Sequence, residues 1–422
     1  MSLTQRILIS MVAGLCVGIL FNVADTALSN TANHWIDEFI IHGVFDTVGR
    51  IFVASLKLLV VPLVFVSLVC GASQLGGNAR MGAMAAKTIV LYMLTTGLAI
   101  GLALLIANLV QPGQGIGLNS ASEYIAKDAP PLKEVLINIF PSNPLRAMVE
   151  GNMLQVIVFS LLMGIAIAHS GEAGQRISVW FEDMNGVIMK MVNILMELAP
   201  YGIFCLLAKL FSELGASAIV ELGKYFATVL LVLLLHAFGV YGSLLKLLTK
   251  VSPIEFFKKL KELVIFAFST ASSNATIPIT LQTVEKKLGV DNRIASFTVP
   301  LGATINMDGT AIMQGVATAF IAQAYQIDIG LSGYLTVILT ATLASIGTAG
   351  VPGVGLITLA MVLQQVGLPV EGIALIIGVD RLLDMTRTAV NVTGDSMVSL
   401  IVASSENSWS EETFNQTTEK KS

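Results

Sequence analysis

Charged residues are scarce in this 422-residue sequence: only 12% are Asp, Glu, Lys or Arg, whereas 55% are hydrophobic. A soluble globular domain has about 25% charged residues, so the composition excludes that class. The net charge of −4 and the lack of a continuous basic stretch give no reason to expect a nucleic acid partner. We predict an all-α polytopic membrane protein surrounded by membrane lipid.

Cysteine is also scarce. Cys16, Cys70 and Cys205 each lie within an apolar run, and their separations fit neither a disulfide framework nor a metal-ligand motif. A free cysteine in such a position behaves as a small buried hydrophobic residue. No disulfide or cysteine-based metal site is predicted.

Long apolar runs predict membrane spans. The first, 7–23, follows Arg6 like the core of a signal peptide, but it is long enough to cross and no small-residue cleavage site follows. Residues 24–42 contain Asp and Glu without Lys or Arg, so they are expected outside and the N-terminus inside the cytoplasm. Further spans are predicted at about 45–72, 86–110, 153–169, 187–214 and 219–248, with the proline-rich stretch 111–146 as an external loop.

Two later apolar regions are interrupted by small and polar residues. They are 263–288, with its polar centre at 268–278, and 331–368, with its centre at 345–355. Such interruptions at membrane depth predict re-entrant helical hairpins. Each precedes a span whose polar centre we expect to be broken, at 304–310 in the seventh span and at 391–395 in the eighth. The repeated order predicts inverted repeats, typical of secondary transporters.

The eighth span, 372–404, has charged residues that cost roughly 3 kcal/mol each at the bilayer centre. Its polar residues follow steps of four, three, one, three and four, which place them on one helix face. They are Asp380, Asp384, Arg387, Thr388, Asn391 and Asp395. Arg387 could bind one carboxylate and the N-termini at the hairpin tips another, while Asp384 could accept an ammonium group. This face predicts an acidic amino acid as the ligand.

Oxygen atoms near the predicted breaks suit alkali or alkaline-earth cations. Carbonyls freed at 302–306, at 345–348 and around Asn391 would act with Asp308 or Asp395. One carboxylate per site favours a monovalent ion. Tyr92, Thr95 and Thr96 add three oxygens on one helix face, for which hydroxyl-mediated helix packing is the alternative. His169 and His236 are far in sequence from every polar tip and are expected to be packed or interfacial.

Four segments resemble signature motifs of the dicarboxylate/amino acid:cation symporter family, the glutamate transporter homologues. They are 272–278 (SSNATIP), 306–310 (NMDGT), 347–353 (GTAGVPG) and 384–395 (DMTRTAVNVTGD). The resemblance implies eight transmembrane helices plus two re-entrant hairpins, a homotrimer, and an elevator-type mechanism. The implied organisation is scaffold helices at 1–85, a third span of the transport domain at 86–110, an external loop and scaffold helices at 111–218, the rest of the transport domain at 219–404, and a cytoplasmic polar tail at 405–422.

The resemblance also implies site residues. For the substrate they are Ser272, Ser273, Met307, Thr310, Val351, Gly355, Asp384, Arg387, Thr388 and Asn391. For sodium they form three groups: Gly302, Asn306, Asn391 and Asp395; Thr304, Ser345, Ile346 and Thr348; and Tyr92, Thr95, Thr96, Asn306 and Asp308.

The chain departs from the family pattern near the first tip. Ala271 stands where archaeal members have an arginine, and Met385 stands where mammalian members have it. Arg381 is the other arginine near this position. Gln314 replaces a glutamate of potassium-coupled mammalian relatives.

The leading hypothesis is a sodium-driven glutamate or aspartate symporter of the plasma (inner) membrane, with both termini cytoplasmic. Proton-coupled transport of the same substrates and C4-dicarboxylate transport are alternatives, and Asp384 argues against the second because a dicarboxylate has no ammonium group. An ion channel would need a continuous pore. An enzyme would need a nucleophile or an acid/base pair, and neither is indicated.

Overall fold

The computed structural model describes residues 3–27, 35–73, 79–115, 140–150, 152–214, 217–345, 350 and 352–415. These residues are predominantly helical. Within them, the strand-like pairing is one isolated antiparallel bridge between Val290 and Trp409. The prediction of an all-α protein is confirmed for the described part of the chain.

The first half of the chain supplies α1 to α8. Their bounds are α1 Leu3–Ala27, α2 Ile36–Phe45, α3 Asp46–Ser73, α4 Ala79–Val110, α5 Pro144–Glu150, α6 Met153–Ala168, α7 Gly171–Met196 and α8 Ala199–Leu214. The α2 segment is π-helical and continues directly into α3.

The second half supplies α9 to α20 and a short 3-10 turn. The bounds are α9 Ser217–Leu234, α10 Leu235–Tyr241, α11 Gly242–Leu248, α12 Pro253–Lys259, α13 Lys261–Thr270, α14 Ser273–Lys286, α15 Asn292–Ile305, α16 Asp308–Ala324, α17 Gly330–Ser345, α18 Val354–Gln365, the turn Val370–Gly372, α19 Ile373–Ser405 and α20 Glu411–Asn415. The α10 segment is π-helical and joins α9 to α11 without a break.

Three helical stretches in the described part of the chain are long and apolar enough to cross a membrane: Gln5–Ala24, Met84–Val110 and Leu222–Leu248. They match the predicted first, third and sixth spans. A fourth is possible if Gly171–Leu195 and Ala199–Glu213, bent by 47°, form one span. The fifth span was predicted from 187, whereas the helix that contains this position, α7, begins at Gly171. The first half of α7 contains four charged residues, so its hydrophobic residues can occupy only one face of the helix. A search for continuous apolar runs therefore misses this part of the helix.

The first predicted hairpin interruption is present. Helices α13 and α14 are separated by Ala271, which is left-handed with φ of 49°, and by Ser272. The Ser272 hydroxyl caps α14 by accepting the Ala275 N–H at 3.2 Å. Helices α17 and α18 flank the second predicted interruption, of which 346–349 and Val351 lie outside the described residues.

The seventh span is broken as predicted, with Asn306 and Met307 between α15 and α16. The Gly302 carbonyl, however, is not freed by this break, because it accepts the Asn306 N–H at 2.8 Å. The predicted break at 391–395 was wrong, since α19 is continuous. Gly394 instead allows the side chains of Asn306 and Tyr241 to lie close to the α19 backbone, because a Cβ at this position would be 2.6 Å from both Asn306 Nδ2 and Tyr241 Oη.

Helix α19 lies at the centre of the second half of the molecule. It packs against α9, α10 and α13 to α16, and against α18. Helix α4 joins this group through α9, α16, α17 and α19, whereas α1, α3, α6, α7 and α8 pack mainly with one another. The polar face of α19 is therefore enclosed by helices from distant parts of the sequence.

The residues after α19 fold back onto the turn between α14 and α15. Trp409 Nε1 donates to the Leu288 carbonyl at 2.8 Å, and the Ser410 N–H donates to the Gly289 carbonyl at 2.8 Å. Phe414 is buried. The described part of the predicted polar tail is thus anchored to the helical body.

Candidate functional site

The polar face of α19 contains a buried ion network. The Arg387 side chain is fully buried. It donates from Nη1 to Asp380 Oδ1 and from Nη2 to Asp384 Oδ1, both at 2.8 Å. Arg381 Nη1 lies 3.5 Å from Asp384 Oδ2. The predicted spacing is confirmed in that Asp380, Asp384 and Arg387 lie within reach of one another inside the protein.

The residues predicted to form the two hairpin tips meet in front of this network. The Ser272 hydroxyl donates to the Gly350 carbonyl at 2.7 Å, and the Asn274 N–H donates to the same oxygen at 3.1 Å. The Gly353 N–H of the second tip donates to Asp384 Oδ2 at 3.2 Å. Backbone groups of both tips therefore lie against the charged face of α19.

A small cavity of about 20 Å³ lies between the tips and α19. Its lining residues are Ala271, Ser273, Met307, Thr310, Gly350, Val354, Gly355, Asp384, Thr388 and Asn391. Seven residues of the implied substrate set are among them. Ser272 caps α14 beside the cavity, and Arg387 lies behind Gly355, where an added Cβ would be 3.3 Å from Arg387 Nη2. Val351 lies outside the described residues.

Asp395 is the centre of a second polar group, the Asp395 cluster, made of Gly302, Asn306, Asn391 and Asp395. Asn306 Nδ2 donates to Asp395 Oδ1 at 2.8 Å and to the Asn391 carbonyl at 3.0 Å. Asn391 Oδ1 in turn accepts the Gly309 N–H at 2.8 Å. Asn306 Oδ1 is buried without a hydrogen-bond partner among the described residues. One carboxylate is thus surrounded by neutral amide and carbonyl groups.

Asp308 is the centre of a third group, the Asp308 cluster, which contains Tyr92, Thr95, Thr96, Asn306 and Asp308. The Thr96 hydroxyl lies 2.6 Å from Asp308 Oδ1 and 2.8 Å from the Tyr92 carbonyl. Thr95 donates to the same carbonyl at 3.1 Å. The Thr96 hydroxyl therefore connects α4 to α16, whereas Thr95 bonds within α4 and Tyr92 Oη donates to the Thr298 carbonyl of α15 at 3.1 Å.

The remaining implied sodium group is Thr304, Ser345, Ile346 and Thr348, of which the structure describes Thr304 and Ser345. Thr304 donates to the Leu301 carbonyl at 2.9 Å, and Ser345 donates to the Thr342 carbonyl at 2.7 Å. Each hydroxyl bonds within its own helix. Ile346 and Thr348 lie outside the part of the chain that the structure describes.

His236 is packed, as expected, but it also reaches a polar centre that the sequence did not indicate. It is fully buried, and its Nε2 lies 3.1 Å from Asp308 Oδ2. Tyr241 Oη donates to the same oxygen at 2.8 Å. A π-helix closes i to i+5 and so brings residues five apart onto one face, whereas an α-helix does not. Because α10 is π-helical, a search for α-helical spacing could not find this pair. His169 is exposed, as an interfacial residue would be.

Gln314 lies on α16 and is buried. Its Nε2 donates to the Thr358 hydroxyl on α18 at 2.7 Å. The neutral amide thus links α16 to α18.

Gly302 allows the two oxygen clusters to approach each other. A Cβ at this position would overlap with Asp395 Oδ1 and would lie 2.5 Å from Tyr92 Oη. We expect Gly302→Ala to destabilise the fold by about 1–3 kcal/mol, as overpacking a rigid interior does. Thermal unfolding of the purified protein measures this. Gly101→Ala in α4 is the control, because no heavy atom lies within 4 Å of its added Cβ, and equal effects of the two substitutions would contradict the prediction.

Comparison with known proteins extends over almost the whole chain. The Sodium:dicarboxylate symporter family matches residues 3–405. A Bacillus caldotenax protein named "Proton/sodium-glutamate symport protein" is 36% identical over 374 residues, which cover 86% of this chain and 88% of the relative. The "Proton/glutamate-aspartate symporter" of Escherichia coli K12 is 32% identical, covering 95% and 92%. "Excitatory amino acid transporter 3" of Mus musculus is 33% identical, covering 94% and 84%. The chain therefore belongs to the sodium:dicarboxylate symporter family and is a membrane transporter, not an enzyme.

Proposed function

We propose that this chain is a secondary active symporter that takes up glutamate or aspartate together with sodium ions. The observation that supports it most is the buried Arg387 guanidinium, which lies beside Asp384 behind a cavity closed by both hairpin tips. A guanidinium fork suits a carboxylate, and an adjacent carboxylate suits an ammonium group. The names of the relatives, which specify glutamate and aspartate, agree with these substrates.

Substrate binding would require two changes in the described arrangement. The cavity of about 20 Å³ has room for about one water molecule, so the hairpin tips would have to separate at the Ser272–Gly350 contact. Arg387 would then exchange Asp384 for a substrate carboxylate. Asp384, released also from the Gly353 N–H, would accept the substrate ammonium group. Asp380 would remain on Nη1 of Arg387.

The two oxygen clusters support a monovalent cation as the second cargo. Asp395 and Asp308 each lie among neutral amide, carbonyl and hydroxyl groups, in two clusters that share Asn306 and approach each other at Gly302. Hard oxygen ligands with a single negative charge suit sodium. We also propose the group of Thr304, Ser345, Ile346 and Thr348 as a third sodium site, as the resemblance implies.

Proton coupling is the second candidate. The names of two relatives include protons, and Asp308 or Asp395 could take a proton in place of a cation. Transport of C4-dicarboxylates is less well supported by the site, because such a substrate would leave Asp384 without an ammonium partner.

Uptake by the purified protein in liposomes distinguishes these candidates. We expect radiolabelled aspartate to accumulate under an imposed sodium gradient at equal pH on both sides. A pH gradient imposed in the strict absence of sodium should drive no accumulation. The reverse result would assign protons as the coupling ion, and accumulation of succinate in preference to aspartate would assign a dicarboxylate substrate.

Asp384→Asn is expected to weaken aspartate binding about tenfold to hundredfold, because the substrate ammonium group loses a charge-assisted hydrogen bond. Sodium binding without substrate should persist, since the Asp395 and Asp308 clusters are built from other side chains. Isothermal titration with aspartate, and separately with sodium, measures both. An equal loss of substrate-free sodium binding would contradict the role given to Asp384.

We further propose an elevator-type homotrimer with eight transmembrane helices and two re-entrant hairpins. Residues 86–110 and 219–404 would move as a transport domain against scaffold helices from 1–85 and 111–218. The packing of α4 with α16, α17 and α19 agrees with the assignment of the third span to the moving part. The protein would lie in the plasma membrane with both termini, including the 405–422 tail, in the cytoplasm.

A further inference from the structure

Asp308 is held by donors on both of its carboxylate oxygens. Oδ2 accepts Tyr241 Oη at 2.8 Å and lies 3.1 Å from His236 Nε2. Oδ1 lies 2.6 Å from the Thr96 hydroxyl. All four side chains are fully buried. Two of the donors come from a single π-helical segment, α10, which lies outside the four polar motifs of the sequence.

The two oxygens differ in how they could serve a cation. Two donors already converge on Oδ2, which fixes its orientation. Among the described residues, Oδ1 accepts only from Thr96, whose single hydroxyl proton has a second acceptor, the Tyr92 carbonyl at 2.8 Å. When that proton lies on the Tyr92 carbonyl, Thr96 Oγ1 and Asp308 Oδ1 can both face a cation. The geometry therefore leaves Oδ1 as the oxygen that Asp308 can present.

The His236 ring is suited to this role as a neutral donor. Its Nδ1 has no hydrogen-bond partner within the described residues. A neutral ring with its proton on Nε2 therefore donates to Asp308 without leaving a buried N–H unsatisfied. The ring also packs edge-on against Tyr241, with centroids 4.6 Å apart. The two donors thus support each other's orientation.

We propose that His236 and Tyr241 are positioning residues that orient Asp308 for the sodium ion of the Asp308 cluster. They act through the carboxylate and do not contact the ion. The role rests on the proposed sodium coupling. It differs from a packing role in that the N–H and O–H donors, rather than the ring volumes, are what sodium binding depends on.

Sodium-dependent thermal stabilisation of the full-length, substrate-free protein tests this role. Sodium chloride is titrated against choline chloride at constant ionic strength. Loss of a residue that orients a metal ligand typically weakens binding tenfold to hundredfold. We expect the half-maximal sodium concentration to rise by that factor in His236→Leu and Tyr241→Phe, and to stay near the wild-type value in His236→Gln, whose amide N–H can replace Nε2.

Two further variants calibrate the measurement. Asp308→Asn gives the shift that follows loss of the ligand itself. Tyr225→Phe is the matched control, because Tyr225 is fully buried on α9 and its hydroxyl has no hydrogen-bond partner in the described part of the chain. Its sodium titration should equal that of the wild type. Aspartate affinity at saturating sodium should change little in His236→Gln and Tyr241→Phe.

The outcomes separate this role from the proposed function. If His236→Leu and Tyr241→Phe lowered the unfolding temperature in choline chloride but left the half-maximal sodium concentration unchanged, the two side chains would contribute only to packing. That result would overturn the positioning role. So would an equal loss in His236→Gln and His236→Leu. If His236→Leu does not fold, Tyr241→Phe is compared with Tyr225→Phe. A higher half-maximal sodium concentration in Tyr241→Phe alone supports the positioning role, and equal values overturn it. A wild-type protein that sodium does not stabilise would overturn sodium coupling itself, and the positioning role with it.

Discussion

Arg387→Ala is expected to remove high-affinity binding of glutamate and aspartate, with a loss of at least about tenfold to hundredfold. Arg387 is the guanidinium that lies behind the cavity, and losing a charged hydrogen bond costs about 1.5–3 kcal/mol. The substitution also leaves Asp380 and Asp384 without their 2.8 Å partner. Breaking a buried ion pair on one side costs about 3–5 kcal/mol. Both binding and stability therefore have to be measured.

A charge-balanced double variant separates the effect on binding from the effect on stability. Asp380→Asn combined with Arg387→Gln removes one charge of each sign and should restore much of the stability while binding stays weak. Arg387→Lys keeps the charge but not the fork, so it should bind acidic substrates poorly. Titration calorimetry with aspartate and thermal unfolding provide the two readouts. Wild-type aspartate affinity in the folded double variant would refute the assignment of Arg387.

Asp308→Asn and Asp395→Asn are expected to abolish sodium-driven accumulation. Each substitution removes the only carboxylate of its cluster, and neutral oxygens alone balance the positive charge of a bound cation less well. Asp395 accepts from Asn306, and Asp308 accepts from Thr96 and Tyr241. The NH2 group of an asparagine at either position would face one of these donors with a second donor, so at least one hydrogen bond would also be lost. The measurement is aspartate uptake in liposomes as a function of the external sodium concentration.

Asp380→Asn is the control for this pair. Asp380 is also a buried carboxylate of α19, but it pairs with Arg387 and belongs to neither oxygen cluster. We expect it to weaken substrate binding and to leave sodium binding without substrate intact. If Asp308→Asn or Asp395→Asn kept the wild-type sodium dependence, that cluster would not be a sodium site.

The interruptions between α13 and α14 and between α15 and α16 could be predicted from sequence because their causes are local. Short polar runs within apolar segments cannot continue a lipid-facing helix. The same reasoning failed at 391–395, where Gly394 serves contact with Asn306 and Tyr241 and not a break. That contact depends on α10 and the break between α15 and α16 lying against α19. The local amino-acid composition does not show this tertiary contact, because its partners are distant in sequence.

The site was predictable to a similar extent. The spacing on α19 predicted that Asp380, Asp384 and Arg387 share a face, because helical geometry alone determines it. The family resemblance, and not spacing, linked Tyr92 and Thr96 to Asp308. His236 was missed because its approach to Asp308 depends on a π-helical segment. A histidine and a tyrosine five residues apart in an otherwise apolar span would have been the signal, had π-helical spacing been considered.

The charge count around Arg387 has a consequence for transport against the membrane voltage. The network pairs two acidic side chains, Asp380 and Asp384, with two basic ones, Arg381 and Arg387, so its formal charge is zero. Moving one uncompensated charge across 100 mV involves about 2.3 kcal/mol. In the proposed cycle, the substrate-free transport domain would return with these four charges cancelling one another. We therefore expect this network to contribute no voltage dependence to the return step, so that the potential acts on the cargo and its binding sites.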